Sequence, residues 1–283
     1  MKPQKILILG YGAFGASFAR LYQKRYDIRG IKRSSLPNQP CLIALMPIQS
    51  EALRAQLDWA DVVLFCPSSG RGDLDRYRET YLDNMRFLIE TIRAHDLSLR
   101  SIILIGSTGV YPRMLDQCWQ EDDAIPVENE RQQILRQTEA ALVSSALPYV
   151  ILRCGGLYGE ERGHFYRYIR EGKIQRSEMS NQWLLLLHFD DLCGLIDRVI
   201  QKKVTGEIFN AVDDSQLRRS ELAEWIAHRW RLPIIEDGPP PASPERRISN
   251  KKLKAVLGYT FQYPSVKAFL GDRAPVKGNA SQR

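Results

Sequence analysis

Short apolar runs alternate with amphipathic helical stretches, and the first pair is joined by Gly10-Tyr11-Gly12-Ala13-Phe14-Gly15. These two observations predict an α/β fold: a doubly wound parallel sheet of the Rossmann type, with a smaller C-terminal substrate-binding region. Parallel strands are covered on both faces, so each reads as a continuous apolar run. Each also needs a right-handed crossover to reach its neighbour.

Residues 5–9 (KILIL) form the first strand, residues 16–25 a helix, and residues 27–31 a short second strand. A weak third strand lies near 41–46, followed by a helix over 49–57 and a clear buried strand over 61–66 (DVVLFC). Leu74, Tyr77, Tyr81, Leu88, Ile89 and Ile92 recur at helical spacing and predict one long helix over 73–95. Residues 101–106 (SIILIG) are a strand, 127–146 a helix and 149–154 (YVILRC) a strand. Beyond Cys154 the pattern loosens. Helices are expected over 162–171, 190–201 and 219–230, with strands over 183–189 and 207–212. The proline-rich stretch 238–244 excludes regular structure. Asn250 reads as the cap of a helix through Leu257, which Gly258 ends. The expected domains are a dinucleotide-binding domain over 1–153, its sheet completed by 183–212, and a substrate region from 154–182 and 213–271. Residues 272–283 are expected to be a disordered tail.

The net charge of +7 is spread along the chain rather than gathered on one segment, which argues against nucleic acid as a partner. No apolar run has the length of a membrane span, and the N-terminus shows no signal-peptide pattern. The five cysteines are far apart and form no CxxC. With an odd count and buried settings they point to a reduced cytoplasm. His95, His164, His188 and His228 show no ligand spacing, and no metal site is expected.

A GxGxxG between a strand and a helix is built for a diphosphate. Gly10 would make the tight turn, Gly12 would let the backbone approach the phosphates, and Gly15 would let the helix pack on the strand. The amide end of that helix would then face the anion. Sites for NAD usually place a carboxylate at the end of the second strand, to accept from the ribose hydroxyls. Here Lys32-Arg33-Ser34 stands there, with no carboxylate to repel a 2′-phosphate and two cations to attract one. The cofactor expected is therefore NADP(H). Its site is expected to include Gly10, Tyr11, Gly12, Ala13, Phe14, Gly15, Lys32, Arg33, Ser34 and, after the fourth strand, Cys66, Pro67 and Ser68.

From Ser107-Thr108-Gly109-Val110-Tyr111 onward the sequence resembles the extended short-chain dehydrogenase/reductase superfamily, the NAD(P)-dependent epimerase/dehydratase group. Leu152-Arg153-Cys154-Gly155-Gly156-Leu157-Tyr158-Gly159 is similar to the family's Leu-Arg-Pro-x-x-x-Tyr-Gly. His188-Phe189-Asp190-Asp191-Leu192 is similar to its His-Val-Asp-Asp-Leu, and Phe209-Asn210-Ala211 and Leu257-Gly258-Tyr259 match later landmarks. Two departures stand out. The nucleotide loop differs from the family's Thr-Gly-x-x-Gly-x-x-Gly, and the Tyr-x-x-x-Lys pair is absent. Counting back from Glu139 puts Arg131 at the Tyr position and Leu135 at the Lys position. The pattern resembles the atypical members.

The resemblance implies an NADP(H)-dependent oxidoreductase, or an epimerase or dehydratase, acting on a small polar carbonyl or alcohol compound. Ser107 falls at the place of the catalytic Ser/Thr. Arg131 cannot exchange protons near neutrality but can polarise a carbonyl or hold an anion. Tyr111 and Tyr158 are the nearby phenols, and Tyr111 joins Ser107 and Arg131 as a candidate. Asp190 and Asp191 are expected to cap the helix that follows. The loss of both Tyr and Lys supports an alternative: a non-catalytic NADP(H)-binding sensor. By analogy with dimeric relatives, the helices over 73–95 and 127–146 imply a homodimer.

Overall fold

The computed structural model describes residues 3–33, 41–70, 72–113, 117–159, 162–215, 217–240, 242 and 246–271. Ser34, the tail 272–283 and part of the proline-rich stretch lie outside the described residues. In chain order the strands are β1 (Lys5–Leu9), β2 (Asp27–Lys32), β3 (Leu42–Leu45), β4 (Val62–Phe65), β5 (Ser101–Ser107), β6 (Cys118–Trp119) and β7 (Tyr149–Cys154). They continue with β8 (Gly156–Tyr158), β9 (Ile174–Gln175), β10 (Leu186–His188), β11 (Glu207–Ala211), β12 (Ile234–Ile235) and β13 (Arg247–Ile248). The helices are α1 (Ala13–Tyr22), α2 (Leu53–Trp59), α3 (Leu74–Arg78), α4 (Asn84–Ala94) and α5 (Glu130–Val143). They continue with α6 (Tyr166–Glu171), α7 (Phe189–Lys202), α8 (Arg219–Trp230), α9 (Lys251–Leu257) and α10 (Val266–Gly271).

The chain divides into two compact units. The first holds Met1–Pro112, Ala124–Arg153 and Cys193–Phe209; the second holds Arg113–Asp123, Cys154–Leu192 and Asn210–Arg283. The 7-stranded sheet runs in the order β11-β7-β5-β4-β1-β2-β3. Its β1–β2, β1–β4, β2–β3 and β4–β5 pairs are parallel. From β1 the chain winds outward to β2 and β3 on one side and then to β4 and β5 on the other. The strand order reverses beside β1, and ligands of doubly wound sheets bind at that crevice.

The period of two along the strands sets the core. Leu7 and Leu9, Val63 and Phe65, and Ile102 and Leu104 face one side of the sheet and bury against Leu57, Leu88 and Ile92 of the helices. The alternate residues Ile6, Ile8, Val62, Leu64 and Ile103 are buried as well, as a doubly covered sheet requires. Each such aliphatic side chain contributes about 1.5–3 kcal/mol relative to exposure.

Four expectations change. Helix α1 begins at Ala13 rather than a turn later, because Gly12 itself takes the N-cap. The expected helix over 73–95 is α3 and α4 joined by a π-turn, Glu79–Asp83. Asp191 is not a cap. It lies in the first turn of α7, but its carboxylate accepts from the Tyr259 hydroxyl (3.0 Å), the Gln262 N–H (2.7 Å) and the Tyr263 N–H (2.9 Å). It pins the segment before α10 within the second unit. Asn250 does stand at the N-cap of α9, yet its side chain donates to the Val212 carbonyl (3.0 Å) and to Asp214 (2.9 Å) instead of capping.

The core of the second unit is aromatic. Tyr158 and Phe269 pack on His188 and on each other, and Phe165 packs on Tyr158. Leu222, Ala223, Ile226 and Ala227 of α8 supply its helical wall. No helix among the described residues is long and apolar enough to cross a membrane.

Candidate dinucleotide site

The glycine loop is pinned to the end of β2. The N–H groups of Gly10 and Tyr11 both donate to the Ile31 carbonyl, at 3.1 and 2.9 Å. Gly10 sits at φ +92°, and a Cβ there would stand 2.5 Å from the Cα of Pro67. That position needs glycine for conformation and for space. A Cβ on Gly15 would meet Ile8 and Tyr11 at 3.2 Å, so Gly15 lets α1 lie close to β1.

Gly12 differs from both. Its φ is ordinary, and a Cβ would meet only the Gly10 carbonyl oxygen, at 3.8 Å. The space beside it is a cleft of about 210 Å3 within the first unit. Helix α1 opens beside Gly12 with no side-chain cap and no acidic residue in its first turn. An uncapped helix amide end at an open cleft suits an anion. The loop therefore fits a diphosphate by its shape as well as its spacing.

Lys32 and Arg33, at the end of β2, border the same cleft, and so do Pro67 and Ser68 after β4. Among the described residues no ion pair engages Lys32 or Arg33. Cys66 does not border the cleft; its thiol lies 3.5 Å from the Gly10 carbonyl and supports the loop from behind. Phe14 packs on Phe18, and Tyr11 borders the cleft with Gly10 and Gly12 although it has no exposed surface. Burial pushes the Tyr11 phenol up. Met46, Gln49, Glu79, Thr80 and Asn84 also border the cleft, and the sequence reading missed them. Glu79, Thr80 and Asn84 come from the π-turn and its exit, which helical periodicity hides.

Along nearly its whole length the chain is similar to several solved proteins. A Methylobacillus flagellatus protein described as an NAD-dependent epimerase/dehydratase is 24% identical, with a TM-score of 0.78 over 95% of this chain and 96% of that one. The UDP-glucuronic acid 4-epimerase of Bacillus cereus, solved with UDP-glucuronic acid and NAD, is 19% identical with a TM-score of 0.78 over 95% and 96%. A short-chain dehydrogenase/reductase superfamily protein of Agrobacterium tumefaciens, solved with bound NAD, is 18% identical with a TM-score of 0.79 over 95% of each chain. The chain shares the Rossmann-type α/β fold of these solved proteins. No protein-family model and no curated protein matches the sequence.

Within this fold the three candidate catalytic residues have definite partners. Ser107 ends β5, and its Oγ accepts from the Gly109 N–H at 3.0 Å. A hydroxyl has two acceptor sites and one donor, so the Ser107 O–H remains to point elsewhere. Arg131 is exposed on α5; it donates to the Gly72 carbonyl at 2.9 Å and lies 4.8 Å from the Tyr77 ring centroid. Leu135, one turn on, packs against Gly109, since a Cβ there would come within 3.2 Å of it. Tyr111 is 1% exposed, and its hydroxyl accepts from Arg153 at 2.6 Å. Arg153 in turn grips Glu139 through Nε (3.1 Å) and Nη2 (2.9 Å). Burial pushes the Glu139 carboxyl up, and the Arg153 guanidinium opposes that push.

In the second unit the Tyr158 ring lies in the aromatic core, and burial pushes its phenol up. His188 is 3% exposed; its Nδ1 accepts from the Asp190 N–H at 3.1 Å, which fixes that nitrogen without a proton. Asp213 was not singled out from the sequence. It is almost wholly buried, and burial pushes its carboxyl up to about 7 even though Ser215 hydrogen-bonds to it.

Proposed function

We propose that this chain is an NADP(H)-dependent protein of the epimerase/dehydratase kind, acting on a small polar carbonyl or alcohol compound; nucleotide sugars are one such class. The observation that carries the reading is the cleft of the first unit. Gly12 opens onto it, and two cations without ion-pair partners among the described residues, Lys32 and Arg33, stand on its wall. Two of the solved neighbours, those of Bacillus cereus and Agrobacterium tumefaciens, were captured with NAD. The preference for the phosphorylated cofactor is inferred from the missing carboxylate at the end of β2 and from the two cations. A charge-assisted hydrogen bond to the 2′-phosphate is worth roughly 1.5–3 kcal/mol, or about ten- to a hundredfold in affinity.

A bound nicotinamide would supply hydride acceptance or donation. The protein's share is to orient and polarise the substrate. Ser107 keeps its O–H free to donate toward a substrate oxygen. Arg131 stays protonated near neutrality, so it can contribute charge and no proton transfer.

The partners of the candidate residues favour a second reading. Tyr111 serves Arg153, Arg131 serves Gly72 and Tyr77, and Ser107 serves Gly109. A protein in which these groups serve their neighbours rather than a substrate would bind the dinucleotide without turnover, as a sensor.

Competitive calorimetric titration of NADPH and NADH tests the cofactor assignment, on wild type, Arg33→Ala and Lys32→Ala. The expected result is tighter NADPH binding, with the preference lost in Arg33→Ala. Equal affinities in the wild type would sink the assignment. Loss in Lys32→Ala alone would keep it and move the role to Lys32. A broad screen of carbonyl and alcohol substrates then separates the readings: cofactor oxidation or reduction supports the enzyme, and tight binding without turnover supports the sensor.

A further inference from the structure

Glu79 borders the same cleft as Lys32 and Arg33. It is the first residue of the π-turn, and the turn explains its placement. The N–H of Asn84 donates to the Glu79 carbonyl, an i→i+5 bond that sets the two residues one above the other. In an uninterrupted α-helix, residues five apart stand about 140° from each other around the axis. The π-turn is what brings Glu79 and Asn84 to one cleft. Single π-turns inside α-helices occur frequently at functional sites.

The charges in this cleft are not neutralised by one another. Among the described residues the Glu79 carboxylate makes no ion pair, and neither do Lys32 and Arg33. The nearby Arg78 is taken by Asp83 at 3.6 Å. A carboxylate and two cations therefore border one space of about 210 Å3 without closing on each other.

We infer that Glu79 sets how far cofactor choice leans toward NADP(H), by repelling the 2′-phosphate that Lys32 and Arg33 attract; this rests on the cofactor reading above. Both dinucleotides carry the diphosphate, so its repulsion by Glu79 cancels in the ratio of their affinities; a 2′-hydroxyl adds no charge to that, and a 2′-phosphate does. A phosphate is a near-dianion, and a carboxylate across a water-filled cleft weakens its binding. Glu79 acts as a brake on discrimination, placed on a different element from the cations it opposes.

The test is competitive calorimetry with NADPH and NADH on wild type, Glu79→Gln, Glu79→Ala and Glu79→Asp, with melting curves to show that each variant is folded. Glu79→Gln and Glu79→Ala should raise the NADPH-to-NADH affinity ratio about three- to tenfold, and the gain should shrink in high salt. Glu79→Asp keeps the charge and should stay near the wild-type ratio. An unchanged or lower ratio in both neutral variants overturns the role of Glu79, while wild-type NADPH binding in the same series leaves the cofactor reading standing. A wild type that binds neither dinucleotide overturns both.

Discussion

The ring of Tyr11 occupies the place where a Cβ on Gly30 would stand. Such a Cβ would lie 2.2 Å from Cδ2 and 2.6 Å from Cγ of the ring. The second residue of the glycine loop is thus folded under the loop against bare backbone of β2, and the glycine loop and the end of β2 that carries Lys32 and Arg33 are built as one piece. Gly30→Ala should therefore destabilise the protein by about 1–3 kcal/mol through overpacking. Thermal melting of Gly30→Ala in the wild-type background and in a Tyr11→Leu background checks the cause. The cost should drop when the ring is gone; an equal cost in both backgrounds would remove the contact as the explanation.

Gly10 and Gly12 should fail in different ways. Gly10→Ala puts a side chain at φ +92° against the backbone of Pro67, so it should lower stability. Gly12→Val meets open space and an ordinary φ, so the variant should fold, with dinucleotide affinity down about tenfold or more. Melting and calorimetry on both variants give the comparison. Wild-type affinity in folded Gly12→Val would mean that the diphosphate lies elsewhere.

If the protein turns over, Ser107→Ala should cost more than Arg131→Lys. The serine keeps a donor for a substrate oxygen, and losing one such donor costs on the order of a hundredfold in kcat. Arg131→Lys preserves the charge and gives up only the fork that holds Gly72 and the Tyr77 ring. Initial rates at saturating NADPH rank the two, and the reverse order would discard the role of Ser107.

Asp213 should shape the pH dependence of stability. Its carboxyl is pushed up to about 7 by burial, from an ordinary 3.8. Between those values the unfolded chain has released a proton that the folded protein still holds, so stability falls as pH rises from about 4 to about 7 and levels off above. Asp213→Asn keeps an acceptor for Ser215 and removes the titration. The variant should lose this slope and gain roughly 2–4 kcal/mol over wild type above pH 7. Urea unfolding at several pH values measures it. Parallel wild-type and variant curves from pH 4 to 8 would contradict the burial argument.

Much of the first unit was legible in the sequence because its signals are local. The apolar strands announce themselves by continuity, as with β7 at Tyr149–Cys154, whose bounds match the expectation; in the second unit the bounds of helix α8, Arg219–Trp230, match as well. The π-turn was not legible. Periodicity averages over a helix, and one extra residue in a turn leaves Leu74, Tyr77, Leu88 and Ile92 still looking like one stripe. The two-residue strands β6, β9, β12 and β13 are too short to carry any pattern, and α10 is barely longer.

The sequence by itself determined the α/β class, the strand–glycine loop–helix unit and the two cations at the end of β2, since each is written in neighbouring residues. It also showed that the Tyr-x-x-x-Lys pair is missing. Only the tertiary structure decided what replaces it: Leu135 packs on Gly109, and the Tyr111 hydroxyl belongs to Arg153, which reaches Glu139 on α5. It alone turned Asp191 from an expected cap into the anchor of residues 259–263 and placed Glu79 on the same cleft as Lys32 and Arg33. The physical reason is the same in each case. Hydrogen bonds and charges act over a few ångströms in space, and the partners here are separated by tens of residues along the chain.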